Sequence, residues 1–217
     1  MDHTMVSLAD QVYDRLEKGV LTGEFQRDEI LTETRLSEEL EVSRTPIREA
    51  LRRLSHEHLV EIGAKGARVI GIQREDIEDI YEIRIRIEGV AAARCAKAIS
   101  EQQLAELKET LDLQEFYTEK VNPEGIKDMD SKFHRIIYEC CGSNILRDTL
   151  EPLHRRILKF RRVSVSVPSR ARHSLEEHRA IYEAIASRDA ERAEKLMEEH
   201  IRHAEDGILE SIDKSST

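Results

Sequence analysis

The chain has 217 residues, which is enough for one large domain or two small ones. Hydrophobic residues make up 39% and charged residues 36%, and no apolar run approaches the roughly 20 residues that span a bilayer, so composition excludes an integral membrane protein. The formal net charge of −10 argues against non-specific coating of nucleic acid, although a small basic patch would suffice for DNA binding. The charged N-terminus and the three cysteines, two of them adjacent, predict a cytoplasmic protein without a signal peptide or a disulfide framework.

The first seventy residues predict three short helices followed by a β-hairpin. Apolar residues at helical spacing define a first helix that Gly23 ends, and a short second helix covers residues 34–40. After a break of a few residues, a third helix begins near Ser43, a residue type that favours the N-cap position. Residues 59–72 combine β-prone side chains with a Gly-containing turn. This order predicts a winged helix-turn-helix domain over residues 1–73.

Residues 74–217 are helical in pattern and predict an all-α antiparallel bundle of six helices with short connections. Ser100 with Gln103 and Ser174 with Glu177 are capping-box pairs, which predict the starts of the second and fifth helices of the bundle. The helix starts predicted in chain order are Glu75, Ser100, Asn122, Asn144, Ser174 and Asp189. The overall fold class is therefore mainly α.

The third helix gathers positive charge in a chain that is acidic overall. Residues 43–68 contain six Lys or Arg against three Glu. Arg44, Arg48 and Arg52 follow one side of the helix, and apolar residues follow another. An apolar back and an Arg-rich front suit the major groove of DNA, with Arg52 and the hairpin residue Lys65 near phosphates. Spacing alone leaves open the alternative of an ordinary amphipathic helix with a solvated Arg face.

The run 31-LTETRLSEELEVSRTPIREALRRLSHEHLVEIGAKGARV-69 resembles the DNA-binding domain of the GntR family of bacterial transcription regulators. The resemblance implies that Arg44, Thr45 and Arg48 contact DNA, with Thr34 or Arg35 from the preceding helix and Gly66 from the wing. The complete predicted DNA-binding set is Thr34, Arg35, Ser43, Arg44, Thr45, Arg48, Arg52, Lys65 and Gly66.

Three positions depart from that family's pattern where glycine is common. The family's Gly-Val-Ser turn is 41-EVS-43 here, His58 follows the third helix in place of a glycine, and Arg27-Asp28 replaces a Pro-Gly. None of these changes removes an expected DNA contact. Glu41 must therefore accept whatever backbone conformation the glycine provides.

Four residues of the helical region have a spacing that suits metal ligation. Asp130 and His134 lie one turn apart on one helix face, and His178 and His200 lie on consecutive antiparallel helices that can bring them to one level. Three imidazoles and one carboxylate predict a divalent transition-metal site, most generically Zn²⁺, with Ni²⁺, Mn²⁺ or Fe²⁺ as alternatives. His154, His173 and His203 are alternative candidates for the metal ligands, and helical periodicity does not choose among them. It is also compatible with a protein in which no histidine binds a metal.

The pieces 130-DSKFH-134, 141-CGSN-144, 177-EHRAIYEAI-185 and His200 with its preceding MEE resemble the helical effector domain called FCD, found in the FadR-type GntR subfamily. The resemblance covers essentially all of residues 75–212. It implies that Asp130, His134, His178 and His200 are the metal ligands, and that the chain belongs to the metal-containing group that responds to small carboxylates.

Arg84 projects from a largely apolar helix stripe, where a guanidinium needs an anionic partner. The motif 81-YEIRIRIE-88 resembles the first helix of the FCD domain, in which the matching arginine faces the ligand pocket. Arg84 is therefore expected to bind the effector carboxylate. Glu88, one turn further along the helix, is the alternative partner.

Together these features predict a homodimeric regulator of a metabolic operon, by default a repressor, that binds a palindromic operator and is nucleoid-associated when bound. A metal-dependent enzyme is the alternative, because a metal with an open position can activate water. No general base is evident beside the ligands, and a di-iron bundle would need two Glu-x-x-His pairs where only 151-EPLH-154 is present. A purely structural bundle with incidental histidines is the second alternative.

Overall fold

The structure, a computed structural model, describes residues 7–71, 74–164 and 168–215. The chain divides into two compact units, Met1–Gln73 and Arg74–Thr217. Among the described residues, no helix has the length and apolarity that a membrane crossing requires.

The first unit contains three helices and a three-stranded antiparallel sheet. In chain order its elements are α1 (Leu8–Leu21), β1 (Ile30–Leu31), α2 (Glu33–Glu39), α3 (Arg44–His56), β2 (Val60–Gly63) and β3 (Gly66–Val69). The strands lie in the order β1-β3-β2, with Ile30 opposite Arg68 and Val60 opposite Val69. The predicted winged helix-turn-helix is confirmed. The sequence analysis missed β1, since two residues are too few to show a period-2 pattern.

One apolar core holds this unit together. Leu16 of α1, Leu36 of α2, and Ile47 and Leu54 of α3 are fully buried in it, together with Val69 of β3. Burying a side chain of this size stabilises the fold by roughly 1.5–3 kcal/mol. The apolar side of α3 is thus packed in the core, and the side that bears its arginines faces outward.

Three residues that replace family glycines adopt left-handed backbone conformations. The φ angles are 65° at Asp28, 55° at Glu41 and 58° at His58. The expectation that Glu41 takes a glycine-like conformation is confirmed, and the other two positions behave in the same way. Side chains with a Cβ atom adopt this region at a cost of roughly 1–2 kcal/mol per residue.

The second unit contains six helices, as the sequence predicted. They are α4 (Arg74–Ala98), α5 (Glu101–Glu119), α6 (Pro123–Cys140), α7 (Asn144–Ser164), α8 (Pro168–Ala186) and α9 (Ala190–Ser215). Helix α4 packs against α6, α7, α8 and α9, and α5 packs against α6 and α8. The three cysteines are buried free thiols.

Of the two predicted capping boxes, one is confirmed and one is wrong. The Ser100 hydroxyl accepts from the Gln103 backbone and the Gln103 side chain accepts from the Ser100 backbone, which starts α5 as predicted. Helix α8 instead begins at Pro168, so Ser174 lies inside it and caps nothing. Proline suits a first helical position because it has no N–H to satisfy there. Glu177 is consequently available for a different role.

Candidate DNA-binding face and metal centre

The predicted DNA-contacting residues lie on α2, on α3 with its N-cap residue, and at the turn between β2 and β3. Residue Ser43 occupies the N-cap position, but its hydroxyl makes no cap hydrogen bond. Gly66 is partly buried, and the other members of the set are exposed, namely Thr34, Arg35, Ser43, Arg44, Thr45, Arg48, Arg52 and Lys65. This exposure suits contact with a DNA groove and its phosphates.

Acidic side chains hold two arginines of this face. The Arg48 guanidinium donates to Glu33 of α2 through Nε at 2.8 Å and through a terminal nitrogen at 2.6 Å. Arg35 donates in the same manner to Glu29 and Glu39 at 2.5 and 2.6 Å. Each carboxylate occupies donors that a phosphate or a guanine would otherwise accept from.

Arg53 has a different role from its neighbours on α3. It donates to Asp10 at 2.7 Å and its guanidinium carbon lies 3.9 Å from the centre of the Tyr13 ring. Both partners belong to α1. Arg53 therefore ties α3 to α1 and lies apart from the DNA-facing row.

The wing has a backbone requirement for glycine at Gly66. Its φ of 136° lies in the region that favours glycine, and a Cβ atom there would come within 2.6 Å of the Leu31 carbonyl oxygen. The close approach lets β1 pair with β3 next to the hairpin turn. Lys65, the residue before it, stays exposed at the tip of the wing.

In the second unit, three buried imidazoles from three helices converge on one point. His134 of α6, His178 of α8 and His200 of α9 are almost fully buried. The Nε2 atom of His200 lies 3.2 Å from that of His178 and 3.3 Å from that of His134. The Asp130 carboxylate oxygen Oδ1 lies 3.9 Å from His178 Nε2. All four residues predicted as ligands are thus brought to one place.

Each imidazole directs its other nitrogen at an oxygen atom. His200 Nδ1 is 2.7 Å from Glu177 Oε2, and His178 Nδ1 is 2.9 Å from Gln114 Oε1. His134 Nδ1 lies 3.0 Å from Glu88 Oε2, at an angle outside hydrogen-bond geometry. Oxygen acceptors at Nδ1 favour the tautomer with the proton on Nδ1, and metal-bound histidines are oriented in this way.

This arrangement turns three nitrogen lone pairs toward one another. Protonation would relieve the contact, but burial and the neighbouring His134 lower the pKa of His200 to about 4, although its hydrogen bond to Glu177 acts in the opposite direction. Burial would raise the pKa of Glu177, but the hydrogen bond and the charge of His200 lower it to about 2, so it stays an acceptor. The three converging imidazoles form a buried set of nitrogen donors of the kind that binds a transition-metal ion.

The donor set fits a transition-metal ion. Ligand nitrogens about 2.0–2.1 Å from a metal, at octahedral or tetrahedral angles, are roughly 2.8–3.4 Å from one another. The separations of His200 Nε2 from the Nε2 atoms of His178 and His134, 3.2 and 3.3 Å, fall in that range. Imidazole and carboxylate ligands suit Zn²⁺, Ni²⁺, Mn²⁺ and Fe²⁺, and the site does not discriminate among these ions.

Arg84 belongs to a buried polar layer beside the three imidazoles. Its Nε donates to Glu88 at 2.5 Å, and a terminal nitrogen lies 3.3 Å from His154 Nδ1. Burial opposes charge here, but the attraction between the two groups holds the pKa of Glu88 well below its usual range and keeps Arg84 charged. Glu88, which the sequence analysis gave as the alternative partner of Arg84, is thus the residue that Arg84 contacts in this structure.

Several buried polar atoms of this layer lack a well-aligned hydrogen-bond partner among the described residues, including Glu88 Oε2, the Tyr138 hydroxyl and His154 Nε2. The His154 ring centre is 4.9 Å from that of His134 and 6.2 Å from that of Tyr138. Unsatisfied buried polar groups are costly, so this layer beside the imidazole cluster favours a polar ligand or water.

The competing histidines separate by position. His154 joins the buried layer, whereas His173 and His203 are exposed and flank Glu177. The sequence analysis did not assign roles to Gln114 and Glu177 as partners of the imidazoles. Gln114 carried a usable signal, because it falls on the buried stripe of α5 with Leu107 and Leu111. No sequence signal pointed to Glu177 as a partner of His200, because a contact between two helices leaves no periodic pattern in the sequence.

Comparison with known proteins agrees with both units. The chain matches the family model "Bacterial regulatory proteins, gntR family" over residues 8–70 and the FCD domain over residues 79–203. It is 30% identical over 199 residues to the HTH-type transcriptional regulator YdhC of Bacillus subtilis (strain 168), covering 89% of this chain and 87% of that protein. It is 26% identical to the HTH-type transcriptional repressor RspR of Escherichia coli (strain K12), covering 95% and 91%.

A solved structure with a similar fold is that of E. coli McbR/YncC, with a TM-score of 0.70 at 27% identity, covering 95% of this chain and 99% of the other. The matched families and the relatives are DNA-binding regulators, which confirms a regulator over the alternative of a metal-dependent enzyme. Since both units match over most of their length, the chain belongs to the GntR family of bacterial transcription regulators and carries an FCD domain as its effector-binding unit.

Proposed function

We propose that this regulator is a repressor whose helical unit binds a divalent transition metal together with a small carboxylate, and that this binding changes its affinity for operator DNA. The observation that carries the proposal is the convergence of three buried imidazoles beside a buried polar layer. The sign of regulation follows the relative RspR, which is described as a transcriptional repressor.

On the DNA side, α3 would enter the major groove. Arg44, Thr45 and Arg48 would reach base edges, and Arg52, Lys65 and the residues of α2 would lie near phosphates. A homodimer would place two such helices on the two halves of a palindromic operator. The exposed row on α3 supports this assignment, and so does the glycine that the wing requires.

In the helical unit, His134, His178 and His200 would hold the metal, with Asp130 as the fourth protein ligand. When bound, the metal supplies a positive charge and open coordination positions for an effector carboxylate. Glu177 and Gln114 would hold the rings of His200 and His178 in the ligating tautomer. Zn²⁺ is the first choice of ion.

The effector would lie between the metal and the polar layer. Its carboxylate would accept from Arg84, in competition with Glu88, and its remaining oxygens would satisfy the Tyr138 hydroxyl and His154 Nε2. A small hydroxycarboxylate offers both a carboxylate for Arg84 and further oxygen atoms for Tyr138 and His154. Such a ligand regulates only if it binds one arrangement of the two units more tightly than the other.

The proposal is tested by a thermal-shift screen of zinc-loaded, tag-free protein against small mono-, di- and tricarboxylates. Compounds that raise the melting temperature are then titrated into gel shifts at fixed salt with operator DNA. We expect at least one hit, and a weaker operator affinity at saturation. Equal operator affinity with and without a saturating hit would contradict ligand-controlled repression.

Tyr138→Phe localises the effector site, because it removes the buried hydroxyl beside Glu88 and Arg84 and keeps the ring. We expect this variant to retain metal and to bind the hit about tenfold more weakly. Tyr182→Phe, on the same unit but outside the layer, is the matched control. An unchanged affinity for the hit in Tyr138→Phe would place the effector elsewhere.

A further inference from the structure

A second cluster of potential metal ligands lies at the surface of the helical unit. His173 and Glu177 are one turn apart on α8, and His203 lies on α9. Their ligand atoms all lie within 4.8 Å of one another. The two histidine side chains are 56% and 51% exposed, whereas Glu177 is only 12% exposed, so the cluster opens to solvent through its imidazoles.

Both imidazoles converge on one oxygen of Glu177. His203 Nδ1 lies 2.7 Å and His173 Nε2 3.1 Å from Oε1, and the ring centres are 5.6 Å apart. The other oxygen, Oε2, accepts from His200 at 2.7 Å and from Arg170 at 2.9 Å. The two oxygens of this carboxylate are thus divided between a buried and a surface group.

From this geometry we infer that His173, Glu177 and His203 form a second, solvent-open binding site for a divalent transition-metal ion such as Zn²⁺. Two imidazoles and one carboxylate are a ligand set that such ions use with water in the fourth position. The exposed rings can exchange their protons with water, so each can present a lone pair to the ion. Separations of 2.7–4.8 Å need shifts of about 1 Å to match ligand spacing around a metal, and exposed side chains can make such shifts.

The surrounding charges make this the weaker of the two sites. Arg170 lies against Glu177 and offsets part of its negative charge. Glu176 partly restores it, since its Oε2 is 3.7 Å from His173 Nδ1. The ion would be held by a carboxylate with one oxygen already engaged, at a site open to water. Occupancy would therefore follow the free zinc concentration and exchange readily.

The test is metal stoichiometry of tag-free protein, measured by equilibrium dialysis against increasing Zn²⁺ followed by metal analysis. We expect wild type to bind one equivalent tightly and a second at higher free Zn²⁺. The variants His173→Gln and His203→Gln should keep the tight equivalent and weaken the second by about tenfold or more, since even an indirect partner of a metal contributes 10–100-fold to affinity. Glu177 is not mutated, because its loss would also release His200.

Two controls separate this site from the buried one. His56→Gln changes an exposed histidine of the first unit and should leave both equivalents unchanged. His178→Gln should lose the tight equivalent and keep the surface one, so failure of the proposed buried centre is distinguishable from failure of this inference. A second equivalent that is absent in wild type, or that survives in the His173→Gln/His203→Gln double variant, would overturn the surface site.

Discussion

At the scale of single residues, Glu33 occupies the Arg48 donors that the proposed DNA contact would use. Both groups are largely solvated, so their pairing contributes little to folding, yet it places a negative charge on the DNA-facing surface. Glu33→Gln removes that charge and releases the guanidinium. We expect about fivefold tighter operator binding at low salt and a larger gain on non-specific DNA, so that specificity falls.

Gel-shift titrations at two salt concentrations, with operator and with random duplex, check this prediction. Glu38→Gln makes the same charge change on the same helix at an exposed residue that pairs with no arginine among the described residues, and it should have a smaller effect. Arg48→Ala should weaken operator binding roughly 10–100-fold while the fold is retained, the cost of losing one base contact. Glu33→Gln binding more weakly than wild type would show that Glu33 itself reads DNA.

A second prediction at this scale concerns Gln114 of α5, whose side-chain oxygen lies 2.9 Å from Nδ1 of His178 on α8. Gln114→Leu keeps the approximate side-chain volume and removes the acceptor at Nδ1. Zinc affinity should fall about 10–100-fold, because outer-shell partners of metal ligands contribute that much. Competition with a chromogenic chelator measures the change, and the exposed Gln102→Leu is the control. Unaltered affinity would mean that the ring is held without Gln114.

Helix spacing predicted that Asp130 shares a face with His134 and that His178 and His200 reach one level, and the resemblance to the FCD domain selected these residues from among the competing histidines. The pairing of Gln114 with His178 and of Glu177 with His200 could not be predicted, since each contact joins two different helices. A helical period describes which face a residue occupies. It carries no information on which side chain of a neighbouring helix lies opposite.

At the scale of elements, most helices follow from local signals. The Ser100–Gln103 pair starts α5 where predicted, and Asp189 accepts from the Arg192 backbone at 3.0 Å just before α9. The same kind of signal was wrong at Ser174, because α8 had already begun at Pro168. A capping box stabilises a helix start only when the preceding residues leave the helix, and the sequence pattern does not test that condition.

The left-handed residues of the first unit provide a prediction about its turns. Glu41→Gly relieves a conformation that costs roughly 1–2 kcal/mol, while the added freedom of the unfolded chain returns about 0.5–1 kcal/mol of that gain. The net expected stabilisation is roughly 0.5–1 kcal/mol. His58→Gly should behave alike, since its φ is 58° against 55° for Glu41.

Urea denaturation followed by far-UV circular dichroism measures the gain. Glu49→Gly, in the middle of α3, is the matched control and should destabilise the protein by about 1 kcal/mol, because glycine is unfavourable inside a helix. If Glu41→Gly destabilised the chain as much as the control does, then the Glu41 side chain would hold the turn through contacts that outweigh its backbone strain.

At the scale of the whole molecule, the two units have separate stabilising features. The first has its own apolar core and its DNA-facing surface, and the second joins α6, α8 and α9 through His134, His178 and His200. A metal bound by these three side chains would connect helices that are distant in sequence. It would therefore stabilise the second unit and leave the first unaffected.

Removal of the metal should consequently lower the stability of one unit alone. At a free metal concentration 100 times the dissociation constant, binding stabilises the folded state by about 2.7 kcal/mol, which corresponds to a fall of roughly 5–10 °C in the melting temperature on removal. Calorimetry of zinc-loaded and chelator-treated protein should show this shift in the transition of the Arg74–Thr217 unit. The transition of the Met1–Gln73 unit should not move. In His178→Gln the chelator should cause no shift, and an equal shift in that variant would mean that the stabilising ion binds away from the three imidazoles.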